Sequence, residues 1–277
     1  MADFNLEAGW GGTQSGTTNT SLALSAAGVI VGQFVVIGVY IRGASSATGV
    51  AMASSLGNTY SQIAGLNGGT TTRGEIWGGF VTQTGTETIT VSWTNAGAAS
   101  AAARAISGIS GTTTANAQDA AAVSAQAANN APATGNTGAT SVIGDLLIGF
   151  VGQNALGTFS AQAFNPAALA VQVPDGTFQT TGTDNSTCQL SLGKTTGTGV
   201  QSFSLSSSGS GQWVALIATF KPLVATKLTA NLRQDYDGNA WTVQPMKDVF
   251  RETQAGLTGV TSDSYERYVR DRNGGPL

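Results

Sequence analysis

No histidine occurs anywhere in the 277 residues. That absence removes the Ser-His-Asp and Cys-His nucleophile systems, which need an imidazole base, and nearly every zinc site. Cysteine is almost as scarce. Cys188 is the single one, so no intramolecular disulfide can form, and it reads as a small residue inside a strand. Charged side chains make up only 10% of the chain and no run of Lys or Arg exists through residue 222, which argues against nucleic acid as a partner. Every apolar run is far shorter than the roughly 20 residues of a membrane span. The first seven residues, Met1 to Glu7, lack the basic and apolar regions of a signal peptide. Synthesis in the cytoplasm with no membrane association is the expectation.

Recognisable catalytic patterns are missing too. Residues 108–111, Gly-Ile-Ser-Gly, fall short of a nucleophile elbow and have no acid and base partners. Lys194, Lys221, Lys227 and Lys247 sit in no motif, and no Walker or dinucleotide fingerprint is present. The acids before residue 223 are Asp3, Glu7, Glu75, Glu87, Asp119, Asp145, Asp175 and Asp184. A sugar hydrolase would need two of them facing each other across a cleft at about 5–10 Å. Glu75 near Trp77 is the most suggestive of sugar, although a solvated strand acid beside a core Trp is the plainer reading. Asp145 reads as a strand-start cap. Asp235-Tyr-Asp-Gly-Asn239 alternates acids as calcium loops do, but its Gly is fourth and Met246 stands at position twelve, so a turn is expected. The sequence predicts no enzyme and no cofactor.

What the chain does contain is repetition. Residues 32–39 (Gly-Gln-Phe-Val-Val-Ile-Gly-Val) and 144–151 (Gly-Asp-Leu-Leu-Ile-Gly-Phe-Val) are short apolar runs led by Gly and a polar residue. Such runs suit strands buried on both faces. Residues 86–93 alternate cleanly, placing Ile89, Val91 and Trp93 on one face and Thr and Ser on the other. The first run matches the second at an offset of 112, Ile89 and Val91 match Phe203 and Leu205 at 114, and 101–106 match 213–218 at 112. Hence 101–106 is expected to be a strand despite its alanines.

The predicted fold is all-β: a jelly-roll-like antiparallel β-sandwich over 21–222, built from two similar halves at about 28–110 and 142–222. An N-terminal arm, 1–20, precedes it. After Pro222 the charge density rises about fourfold, since residues 223–277 hold 14 of the 27 charged side chains. This short α/β extension is expected to form a hairpin around Asp237-Gly238 and two short helices. Met246, Val249 and Phe250 share one side of the first helix, and Tyr265 and Tyr268 lie on the second. Helices this short must pack on something, which makes these five residues candidate partner contacts.

Four segments together resemble a known group: Gly144 to Val151, Gly57-Asn-Thr-Tyr60, Thr88 to Trp93, and the closing run Trp213 to Pro222. They resemble the jelly-roll-like β-sandwiches of tailed-bacteriophage virion proteins, of the minor tail and decoration type. The resemblance spans roughly residues 20–222. It implies a structural role in the virion, contacts with other virion proteins, homo-oligomerisation, and no catalytic residues to carry over. A minor tail protein is the leading expectation, with a capsid decoration protein as its variant. The rival is a carbohydrate-binding module for host-surface glycan, which predicts an exposed aromatic shelf drawn from Trp10, Tyr60 and Trp77.

Overall fold

The computed structural model describes residues 4–14, 18–25, 27–43, 45–166, 169–172, 177–179, 186–223, 235–236 and 241–242. The chain divides into two compact units, Met1–Val224 and Ala225–Leu277. In the second, β19 (Asp235–Tyr236) pairs antiparallel with β20 (Trp241–Thr242), and the Asp237-Gly238 turn expected there lies outside the described residues. The two predicted helices of the extension lie outside the described residues.

The first unit is nearly all β, as the sequence implies, with one helical turn, α1 (Thr114–Ala117), between its halves. Residues before α1 form β1 (Asn5–Gln14), β2 (Ser21–Ala23), β3 (Ala27–Val29), β4 (Phe34–Gly43), β5 (Thr48–Ser54), β6 (Ser61–Gly68), β7 (Thr72–Phe80), β8 (Gly85–Glu87), β9 (Ile89–Thr94) and β10 (Gly97–Ser107). Residues after it form β11 (Val123–Asn129), β12 (Leu146–Gln153), β13 (Phe159–Asn165), β14 (Leu169–Gln172), β15 (Thr177–Gln179), β16 (Thr187–Lys194), β17 (Ser202–Ser207) and β18 (Gly211–Phe220). All their pairings are antiparallel.

The strands stack in four layers. One central sheet runs β1-β10-β4-β7-β6 and the other β11-β18-β12-β16-β14, so the order of first, last and long apolar strand is the same in both. Alternation along β4 shows how they stack. Val35, Ile37, Val39 and Ile41 pack outward on Leu22, Ile89, Val91 and Trp93 of the β2-β9-β5 sheet. Phe34, Val36 and Tyr40 point the other way, onto Ile148, Phe150, Leu216 and Phe220 of the second central sheet. Beyond that, Leu147, Val151 and Ile217 meet Phe164, Phe203 and Leu205 of the β13-β17 ribbon. Both central sheets are covered on both faces, so β4 and β12 read as continuous apolar runs rather than alternating ones. The first central sheet and the β2-β9-β5 layer are built from residues before α1, and the second central sheet and the β13-β17 ribbon from residues after it.

The central contact is reciprocal. Phe150 fills the space above Gly38, and Tyr40 fills the space above Gly152, where a Cβ would collide with each ring. Gly38 and Phe150 are 112 residues apart, as are Tyr40 and Gly152, the same offset at which residues 32–39 match 144–151 in the sequence.

Two sequence expectations change. Residues 5–14, read as part of an arm, form the edge strand β1, because β10 offers a free edge to pair with. The match of 101–106 to 213–218 is displaced by two residues. Val39 pairs with Ala101 and its counterpart Val151 pairs with Ala215, so the offset there is 114. A two-residue shift keeps every side chain on its face, which is why the pattern concealed it.

Candidate functional site

Of the three residues predicted for a glycan shelf, two are core residues. Trp10 and Tyr60 are 5% and 7% exposed and pack in the cluster between the first central sheet and its outer layer. A buried ring cannot serve as a platform for sugar, so the shelf as predicted is not assembled. Trp77 alone is partly exposed. The predicted contact residues Met246, Val249, Phe250, Tyr265 and Tyr268 lie outside the described residues.

The structure instead gathers the buried acids of the first unit into three clusters. Glu87 ends β8, is fully buried, and accepts hydrogen bonds from Ser54 Oγ, Asn58 Nδ2 (3.2 Å) and Tyr60 OH (2.7 Å). Ser54 Oγ also takes the amides of Leu56 (3.1 Å) and Asn58 (3.0 Å), closing the turn after β5. Asn58 Oδ1 accepts from the Thr82 and Gln83 amides at 2.8 and 3.0 Å. Burial first, then the adjacent Glu87, push the Tyr60 phenol far above its ordinary value. Every donor around Glu87 is used to tie two turns to β8. The Gly-Asn-Thr-Tyr motif is thus a structural clasp.

On β7, Arg73, Glu75 and Trp77 share the outward face. Arg73 Nε and Trp77 Nε1 both donate to Glu75, and Arg73 Nη1 reaches Asn67 Oδ1 at 2.9 Å. Glu75 is buried rather than solvated, and Trp77 caps the core edge rather than sitting inside it. Arg73 supplies the countercharge and Trp77 a second donor, both from the same strand, which explains how an acid is accommodated there.

The third cluster joins the two halves. Asp119 lies on the segment that follows α1 and runs beside the end of β18, its amide bonded to Thr219 O at 3.1 Å. Its carboxylate accepts from the amide and hydroxyl of Ser141 and stands 3.9 Å from Lys221 Nζ. Asp145 enters from the start of β12, fully buried, and its carboxyl meets that of Asp119, a contact that becomes a hydrogen bond when one of the two carries a proton. The two carboxyls are close enough to titrate together. Burial, then Asp119, push the Asp145 carboxyl up to about 8, while Lys221 opposes the shift. Burial also opposes ionisation of Asp119, but Ser141, Asp145 and Lys221 together hold it below its usual range.

This pair predicts an unusual pH dependence. Between the ordinary carboxyl value of 3.8 and about 8, folded Asp145 keeps a proton that the unfolded chain has released. The native state then binds more protons, so this group makes stability fall as pH rises, by at most about 1.4 kcal/mol per pH unit. Above that window its contribution is flat. In chelator-treated buffer, Asp145→Asn should unfold at a higher temperature than wild type at pH 8 and at nearly the same temperature at pH 4. Thermal melts across pH 4–9 measure this directly. A variant with a slope parallel to wild type would contradict the assignment.

No protein-family model, curated protein or solved structure matches this chain. Among the described residues no group of three or more His, Cys, Asp or Glu lies together, and no helix is long and apolar enough to cross a membrane. Sequence reasoning placed Asp145 as a cap and gave Asp119 no role. The available signals were that Asp119 is the lone charge in 111–141, and that the second half carries Asp where the first has Gln33.

Proposed function

We propose that this chain is a structural protein of a tailed-phage particle, tail-associated, which docks on neighbouring subunits and on copies of itself. It is read as non-enzymatic and as located in the virion. One observation carries this reading: the chain splits at Val224 into a charge-poor body of stacked sheets and a separate unit dense in charge. Residues 225–277 hold seven basic and seven acidic side chains. Both signs interspersed on a small appended unit suit recognition of a mixed-charge protein surface, where polar complementarity sets register and partner choice. The body supports the reading by its use of polar groups. Glu75 is paired with Arg73, and Glu87 is hydrogen-bonded by Ser54, Asn58 and Tyr60, so both acids hold strands and turns in place. The face-to-face halves are read here as a duplicated unit. Decoration of a capsid would use the same parts.

Light scattering on the full chain and on residues 1–224 tests the self-association part. The cut belongs after Val224, because the Leu223 amide bonds to Gly108 O at 2.6 Å and Pro222 bridges to Ile109. The expected result is an oligomer for the full chain and a folded monomer for 1–224. A monomer in both forms would refute self-association through the C-terminal unit.

A further inference from the structure

The outer face of the first central sheet is covered unevenly. The β2-β9-β5 layer starts with β2 against β1 and ends with β5, so among the described residues the edge strand β6 has no strand over it. Register then sets a row of polar side chains on this open face. Gln62, Gly65 and Asn67 of β6 stand opposite Trp77, Glu75 and Arg73 of β7. A bulge makes the row possible: Ile63 is the extra residue between Gln62 and Ala64. In an unbroken strand Gln62 would point to the opposite face from Gly65, three positions on, and the bulge re-aims it. Gly65 supplies the room. A Cβ there would fall on Gln62 Nε2 and stand 3.3 Å from Glu75 Cγ, so the Gln62 amide lies over the glycine beside the acid.

Glu75 holds the row from beneath. It is buried, and it binds Arg73 Nε on one side and Trp77 Nε1 on the other, which fixes the guanidinium plane and the indole. Arg73 Nη1 in turn fixes Asn67 through Oδ1 at 2.9 Å. Outward-facing capacity is left over. Among the described residues the Gln62 amide, Arg73 Nη2 and Asn67 Nδ2 have no protein partner, and Gln62 and Asn67 are exposed. Trp77 packs on the core cluster with part of its ring, and the rest is open to solvent. Arg73 and Glu75 cancel in charge, so the row is neutral overall.

We propose that this face of β6 and β7 is a binding site for an uncharged oligosaccharide, with a sugar ring against Trp77 and hydroxyls on Gln62, Arg73 and Asn67. A sugar offers a C–H face to an aromatic ring and hydroxyls that both donate and accept, which planar amides and a guanidinium match. Trp77 and Arg73 are four strand steps apart, about 13 Å at roughly 3.3 Å per residue, the reach of a short extended chain and not of one sugar. An anionic ligand fits less well, since it would have to draw Arg73 away from a buried carboxylate. The site does not depend on membership of a phage particle. It also differs from the shelf expected from sequence, for it uses Trp77 without Trp10 or Tyr60.

The test places the full chain on an array of immobilised neutral oligosaccharides (glucans, mannans, galactans and N-acetylglucosamine oligomers) beside sialylated and uronic-acid chains. Dense presentation lets a weak, open site register. Binding is expected within the neutral set. Gln62→Ala and Asn67→Ala should each weaken it by roughly two- to tenfold while melting as wild type does, and the double variant should weaken it further. Trp77→Ala should abolish binding. Because Trp77 also supports the core, the two exposed amide residues decide the matter if that variant fails to fold. Absence of binding to every neutral chain would overturn the proposal, as would a preference for the acidic ones. Binding unchanged in the double variant would overturn it too, by placing the sugar elsewhere.

Discussion

Gly38→Ala should lower the stability of the first unit by about 3 kcal/mol, near the upper end for overpacking a filled core. A Cβ at Gly38 would stand 2.5 Å from Phe150 Cε2 and closer still to Cδ2, in the middle of the contact between the central sheets. The ring cannot simply swing aside, because Phe150 is fully buried among Ile148, Leu190 and Leu216. For a body of this size that corresponds to a fall in Tm of roughly 6–12 °C. Gly152→Ala should do similar damage through Tyr40. Gly28→Ala is the matched control: a Cβ there meets nothing within 4 Å, and the change should stay within about 0.5 kcal/mol. Combining Gly38→Ala with Phe150→Leu should recover part of the loss, since the smaller side chain vacates the space the methyl needs. If Gly38→Ala melted like Gly28→Ala, the halves would not be packed as described.

Glu87→Ala should cost about 3–5 kcal/mol, from buried donors left unpaired at roughly 1–3 kcal/mol each. The substitution strands three donors at once: Ser54 Oγ, Asn58 Nδ2 and Tyr60 OH. Tyr60→Phe removes a single donor and leaves two on the carboxylate, so it should cost only about 1–2 kcal/mol. Denaturant melts of both variants give the comparison. Equal losses would mean that Tyr60, and not the acid, organises the clasp. The loss should be felt at the turn after β5, because Ser54 and Asn58 are bound to the same carboxylate. Amide exchange at Leu56 and Asn58 should therefore accelerate more than at Val35 or Ile37 in the central sheet.

Much of this architecture is legible in the amino-acid order, and the exceptions have causes. The runs at 32–39 and 144–151 announce strands buried on both faces because both central sheets are sandwiched. Ile89, Val91 and Trp93 announce a half-buried one because β9 is covered on one side only. The alanines of 98–105 point locally toward a helix. They form β10 because that strand is flanked by β1 and β4 and covered on both faces, where small side chains fit. Strand β1 was hidden, since its Gly-rich sequence carries no alternation and its pairing depends on an edge more than 80 residues away. The clusters were less visible than the strands. Nothing local tells that Asn58 and Tyr60 serve Glu87, or that Asp119 reaches the corner at Asp145. Both depend on long-range packing that brings separate turns together. Exposure was the hardest property to read: Trp10 and Tyr60 look like surface aromatics among small polar residues, and both are buried.

Incorporation into particles tests the central claim most directly. Particles would be purified from a phage encoding either the full chain or a chain ending at Val224, and the protein in each quantified by mass spectrometry. The account predicts a fixed number of full-length copies per particle, with the shortened chain folded in the lysate and missing from particles. Equal incorporation of both forms would contradict docking through residues 225–277, and absence of the full chain from particles would contradict the structural role itself.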